Sequence, residues 1–365
     1  MEQGTFQRGL LKGRPVYFVT TVALLIGLFL SLLAAVTFGT MKLPIHDVYK
    51  VISSELGHIF LGKEFPQEWA PGQPIHDVVW LIRLPRLVLA CAVGMALSIS
   101  GIVMQAIVKN PLADPYILGI SSGASLGATV AVMLGFGAGF LGANYIGIMA
   151  FLGAFAVSMG VIALANVGGR ANSVKLLLAG SALSAVCGAF SSFIIYIAHD
   201  DHSSAKIVNW TMGSLAAANW PGNVVILLVA VVGSLFFLTQ YRILNLMLLG
   251  DDSAITLGTD LHKWRILYLV VASLLVGFSV YNAGMIGFVG LVVPHVARLL
   301  FGTDHKKLIP ICALGGSIFL IWADVLCRTL LPGNEMPIGV LTSLLGAPVF
   351  IYLMARKKYG FGGRD

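Results

Sequence analysis

From Val16 to Phe38 the chain runs VYFVTTVALLIGLFLSLLAAVTF without a single charge, and runs of this kind recur almost to the C-terminus. In water such segments have nowhere to go. In a bilayer an α-helix of about 20 apolar residues crosses the hydrocarbon core with every backbone polar group satisfied internally. Runs long enough to span give about ten helices, expected near 16–38, 86–108, 117–136, 145–166, 175–198, 222–241, 265–283, 286–301, 308–327 and 338–355. The first is longer than the roughly 7–15 residues of a signal peptide's apolar region, so it is expected to stay in the membrane. With 58% hydrophobic and 11% charged residues, against about 25% charged in a soluble domain, no globular core could absorb the excess. The expected fold class is all-α: a polytopic integral membrane protein, residues 1–365 forming one transmembrane domain. Cys91, Cys187, Cys312 and Cys327 lie in or beside apolar runs with no C-x-x-C spacing, which reads as buried thiols.

Basic residues orient the chain. Arg8, Lys12, Arg14, Lys109, Arg170, Lys175, Arg242, Lys263, Arg265, Arg298, Lys306, Lys307, Arg356–Lys358 and Arg364 fall on one side; Lys42, Lys50, Lys63, Arg83, Arg86, Lys206 and Arg328 fall on the other. The positive-inside rule then places both termini in the cytoplasm. Residues 40–84 form an outer segment of ordinary soluble composition, read as a helix near Ile45–Phe60 followed by a proline-rich loop.

On the cytoplasmic side lies Leu248–Arg265, LLGDDSAITLGTDLHKWR, within a loop spanning 242–264. Asp251, Asp252 and Ser253 offer N-cap oxygens, Ala254, Ile255 and Leu257 an apolar body, and Gly258 a left-handed stop. A short helix with nothing of its own chain to bury against implies an outside partner. Small residues recur every fourth position at Gly180, Ser184 and Gly188, at Gly123 and Gly127, and at Gly94 and Ser98. Such stripes let helix backbones approach closely, either within the chain or along a pathway or subunit seam. His199–Asp200–Asp201–His202 has metal-ligand residue types, but a solvated loop is the simpler reading.

There is no G-x-x-x-x-G-K-[ST] loop for ATP, no H-E-x-x-H and no nucleophile elbow. Few charges lie within spans, Asp324 and Arg328 near one outer end being the main case, where a proton- or sodium-driven carrier places titrating groups at the midplane. What remains is a membrane pathway that takes its energy from another chain.

Four stretches go further: RLPRLVLACAVGMALSISGIVMQ from Arg83, KNPLADPYILGISSGASLGA from Lys109, GMIGFVGLVVPHVARLLFGTDHKKLIP from Gly284, and MPIGVLTSLLGAPVF from Met336. In this order, with the loop LGDDSAITLG, the chain resembles the permease subunit of type II ABC importers, the family that takes up ferric siderophores, haem and cobalamin. The resemblance implies that LGDDSAITLG forms paired short coupling helices seated in a cleft of a cytoplasmic ATPase, through Gly250, Asp251, Asp252, Ala254, Leu257 and Gly258. It implies that Arg83, Arg86 and Arg328 dock acidic residues of an extracytoplasmic substrate-binding protein. Gly180, Ser184 and Gly188 would line the pathway or seam between two permease copies. Asn110, Pro111, Gly287, Gly290, Pro294 and His295 would be structural signature positions, three glycines and Pro294 breaking helices, with His295 bonding a neighbouring helix's backbone rather than a metal. A homodimer is the simpler arrangement, although some members pair two different permeases. No cofactor is expected on this chain, since Mg-ATP belongs to two ATPase copies. The implied function is uptake across the cytoplasmic (inner) membrane of a prokaryote. An iron chelate is expected first, with cobalamin or haem as alternatives and an ion-coupled carrier as the distant rival.

Overall fold

A computed structural model describes residues 13–64, 66–142, 144–331 and 333–355. Arg8, Lys12, Arg356–Lys358 and Arg364, which entered the charge argument, lie outside them. The helices are α1 (Arg14–Ala35), α2 (Ile45–Leu61), a single turn α3 (Pro74–His76), α4 (Leu84–Val108), α5 (Ile120–Leu134), α6 (Tyr145–Asn166) and α7 (Ser173–Ala198). They continue as α8 (Asp201–Thr211), α9 (Trp220–Thr239), α10 (Tyr241–Leu249), α11 (Asp251–Thr256), α12 (Leu261–Ala283), α13 (Val289–Phe301), α14 (His305–Thr329) and α15 (Ile338–Ala355). Among the described residues seven helical stretches are long and apolar enough to cross a membrane.

Two of the ten expected spans are helical over fewer residues than a bilayer requires, Ile120–Leu134 and Val289–Phe301. Local chemistry shortens both. Pro115 opens a 3₁₀ turn, Pro115–Leu118, that Gly119 stops at φ 76°, so α5 starts late. Gly284 at φ 66° and Phe288 at φ 66° hold the chain out of helix before α13.

The core is α4, apolar on every face and buried along almost its whole length, as an all-round hydrophobic helix must be. Together with α3 and the π-helical stretch Asp77–Arg83 it forms one rod of 35 residues, Pro74–Val108. Around it pack α9, α12, α13 and α14. The small-residue stripe on α4 sets the distances: a Cβ on Gly94 would lie 2.2 Å from the Gly316 carbonyl oxygen of α14, and one on Gly101 would lie 2.0 Å from that of Gly290 in α13. Gly123 and Gly127 do the same for α5 against Gly153 and Met149 of α6.

The outer segment does contain the expected helix, closed by Gly62 at φ 61°. Val48 and Val51 bury its inner face. The buried pair Glu55 Oε1–His76 Nε2, 2.7 Å apart, joins it to the top of the α4 rod. All four cysteines are free and buried.

Candidate functional site

Within LGDDSAITLG the structure has one short helix, α11, rather than the expected pair, and α10 (Tyr241–Leu249) leads into it. Thr259 N–H donates to the Ala254 carbonyl and Gly258 N–H to that of Ile255, the Schellman closure that a left-handed Gly258 (φ 78°) permits. The other end differs from expectation. Gly250, at φ 101°, is the N-cap residue, and no side chain caps the helix. Asp251 and Asp252 stand inside the first turn, where their charge favours the helix N-terminus. Nor is α11 without support from its own chain: Ala254 is fully buried, and Asp251 Oδ1 accepts from Arg265 Nη2 at 2.7 Å. What α11 leaves bare is Ile255, 60% exposed, and Leu257, 66% exposed. Asp260 caps α12; its carboxyl is held below the usual range by the His262 N–H and then by Arg170.

Arg83, Arg86 and Arg328 do not present free forks to a partner; they are 3%, 6% and 5% exposed. Arg83 donates to the Val36, Thr37 and Met41 carbonyls, and Arg328 to Phe38. These carbonyls at and beyond the α1 C-terminus lack helical partners and receive buried donors instead. Arg86 Nε donates to Asp324 Oδ1 at 2.6 Å and its Nη1 to Glu335 Oε2 at 2.7 Å. Arg328 Nε lies 3.0 Å from Asp324 Oδ2, an ion pair off the hydrogen-bonding line. The cluster therefore ties α1, α4 and α14 together. The carboxylate that an ion-coupled carrier would titrate sits between two guanidinium groups.

The signature residues fall around the α4–α13 crossing. Asn110 Oδ1 accepts from Leu112 N–H at 2.9 Å, and the Pro111 carbonyl from Arg298 Nη2 at 3.3 Å. Arg298 also donates to Gln105 Oε1. Contrary to expectation α13 runs straight through Pro294. Proline removes the donor that would meet the Gly290 carbonyl, and Gln105 Nε2 takes its place at 3.2 Å. Gly290 is thus a helical residue kept small by its neighbours Pro115 and Leu97, while Gly287 meets nothing within 4 Å. His295 Nδ1 is buried with no hydrogen-bond partner among the described residues, so the expected bond from that nitrogen to a neighbouring helix is not made.

The chain before α5, the end of α8, the non-helical backbone before α13 and the first turns of α15 converge on one cavity of about 600 Å³. Its wall includes Tyr116, Thr211, Met212, Met285, Gly287 and Ser343, with no charged side chain. In a membrane-spanning chain, main chain out of helix is tolerated where it lines a cavity. The α7 stripe divides: Gly180 and Ser184 pack against Gly119, whereas Gly188 has open space before it. Asp200 caps α8 by accepting from His202 N–H at 3.0 Å, which explains that run locally.

Sequence reasoning missed Glu335, Arg265 and, Gly287 apart, the cavity residues. Tyr116 was within reach, lying in a quoted motif. Glu335 carried only the faint signal of an acid close to a basic outer cluster.

A model of the FecCD transport family matches residues 24–356. The chain is 43% identical over 282 residues to the hemin transport system permease protein HmuU of Yersinia pestis, covering 77% of this chain and 84% of that protein. It is 42% identical over 279 residues to the vitamin B12 import system permease protein BtuC of Salmonella paratyphi A, covering 76% and 83%. A solved structure described as a metal-chelate type ABC transporter in an inward-facing conformation superposes with a TM-score of 0.76 at 29% identity, covering 93% of this chain and 99% of that one.

Proposed function

The chain belongs to the FecCD transport family and is the permease, the membrane-spanning transport component, of an ABC importer; from that premise we propose that it carries a ferric chelate inward across the cytoplasmic membrane of a prokaryote by alternating access. The observation that carries the coupling half of this reading is α11. An apolar pair, Ile255 and Leu257, stands exposed on a six-residue helix. Apolar side chains presented in this way are anchors for a cleft in a soluble partner. That partner is a cytoplasmic ATPase in two copies, which binds Mg-ATP and does the hydrolysis; this chain does neither.

A second copy of the same chain completes the path. The open Gly188 face of α7 supports a seam there, since lipid gives apolar area no net drive and small residues provide close approach. An extracytoplasmic binding protein delivers cargo at the end carrying α2. Because Arg83, Arg86 and Arg328 are occupied internally, its docking does not rest on their guanidinium forks.

The relatives' cargoes, hemin and vitamin B12, share one chemistry, a metal ion wrapped in an organic chelator. The uncharged cavity of about 600 Å³ is of a size that admits such a bulky molecule. A ferric siderophore is the first choice on breadth of use, with haem and cobalamin next.

Changing Ile255 and Leu257 together to aspartate is expected to cut co-purification of the ATPase by roughly tenfold or more, the loss of a buried hot-spot pair. Undiminished co-purification would remove the coupling role. Uptake of a radioiron ferric hydroxamate, haem and labelled cobalamin into ATP-loaded vesicles holding the full complex then decides the cargo. Accumulation of cobalamin alone would refute the iron reading.

A further inference from the structure

The geometry points to Arg265 as a positioning residue that transmits the movement of α11 to α7; this rests on α11 being the ATPase contact. Arg265 is the fifth residue of α12, only 3% exposed. Its guanidinium spans two pieces of chain that stand side by side, Ala171 and Asn172 facing Asp251 and Ile255 across a small pocket. Nη2 donates to Asp251 Oδ1 at 2.7 Å, gripping the first turn of α11. Nη1 donates to the Ala171 carbonyl at 2.9 Å, gripping the loop between α6 and α7.

Ala171 is buried and stands one residue before Asn172, the N-cap of α7, whose Oδ1 accepts from Lys175 N–H at 2.8 Å. Beyond it most of α7 is unburied. Ser181, Ala182, Ala185 and Gly188 are exposed along it, and its buried contacts with α5 run through Gly180, Ser184 and Gly119. A helix packed through small residues slides at little steric cost. The neighbouring link from that loop to the α12 cap, Arg170 to Asp260 at 3.3 Å, is solvent-exposed at both partners and holds little. Arg265 is thus a direct, buried side-chain bridge from α11 to the loop that leads into α7. Lysine, a point charge on a flexible stem, cannot reach both acceptors in that fixed geometry.

The test uses the complex of this chain with the ATPase that co-purifies with it. Spin labels on Ser253 in α11 and on Val174 in the first turn of α7 are each measured against one on Leu228 of α9, before and after vanadate trapping of the ATPase. Both labels are expected to shift on trapping in the otherwise unaltered chain. In Arg265→Gln and Arg265→Lys the Ser253 shift persists, while the fraction of molecules in which Val174 shifts falls at least roughly fivefold, the low end of ordinary coupling factors. A purely structural role for Arg265 would diminish both shifts together, and that result, or a Val174 shift retained in either variant, overturns the relay. Should Ser253 not move on trapping in the unaltered chain, the coupling role of α11 fails first and the relay with it. Arg265→Lys preserves charge and length, so the comparison survives if the glutamine variant does not fold.

Discussion

Asp324→Asn is expected to destabilise the fold by about 3–5 kcal/mol, the cost of leaving buried charge uncompensated. Asp324 is fully buried, with Arg86 Nε 2.6 Å from one oxygen and Arg328 Nε 3.0 Å from the other. Without its charge two guanidinium groups remain in a poorly solvated pocket, only Arg86 keeping a carboxylate, that of half-exposed Glu335. Thermal unfolding in detergent should start well below that of the unaltered protein, with a smaller monodisperse fraction. Replacing the whole cluster, Arg86→Met, Asp324→Leu and Arg328→Met, is expected to recover most of the loss, because apolar groups of similar volume often equal a buried ion network. A single variant as stable as the parent would refute the account of the cluster as a latch. Folded protein that had lost transport alone would revive Asp324 as a coupling carboxylate.

The second large effect is steric. Gly101→Val is expected to prevent α13 from seating on α4, because the new Cβ would lie 2.0 Å from the Gly290 carbonyl oxygen. That oxygen belongs to main chain that Gln105, one turn further along α4, also holds, and it cannot swing away as a side-chain tip could. Overpacking a core ordinarily costs about 1–3 kcal/mol; a clash between two backbones in the centre of the bundle belongs at or above the top of that range. Gly188→Val is the matched control, since nothing lies within 4 Å of it. It should leave yield and unfolding temperature unchanged, and any transport defect in it reports on the seam between copies. Equal behaviour of the two variants would show that the Gly101 contact does not set the helix spacing.

The spans were legible because uncharged length is a one-dimensional property, and α11 because aspartates followed by Gly258 describe a short closed helix without reference to anything else. What escaped is three-dimensional. Arg83 and Arg328 looked like surface forks because their acceptors, the free carbonyls at the end of α1, lie far away in sequence. Pro294 looked like a break because the substitute donor, Gln105, comes from another helix. The short helices α5 and α13 read as full spans because hydropathy registers an apolar run without registering whether its backbone is helical throughout. Arg265 was visible only as one more positive charge on the cytoplasmic side, its two acceptors being set by tertiary packing.

The rod Pro74–Val108 has a mechanical consequence. At 35 residues it is roughly 50 Å long, well beyond the hydrocarbon thickness of about 30 Å. It is bolted to α14 and α13 by glycine contacts and to α14 again by the Arg86–Asp324 pair. Such a part serves as a stator. Whatever stroke the importer makes is left to the pieces fastened to it more lightly, chiefly α7, which the Ser173 hydroxyl ties to the Ile107 carbonyl at the rod's end, so the machine turns by flexing its perimeter while its axle stays still.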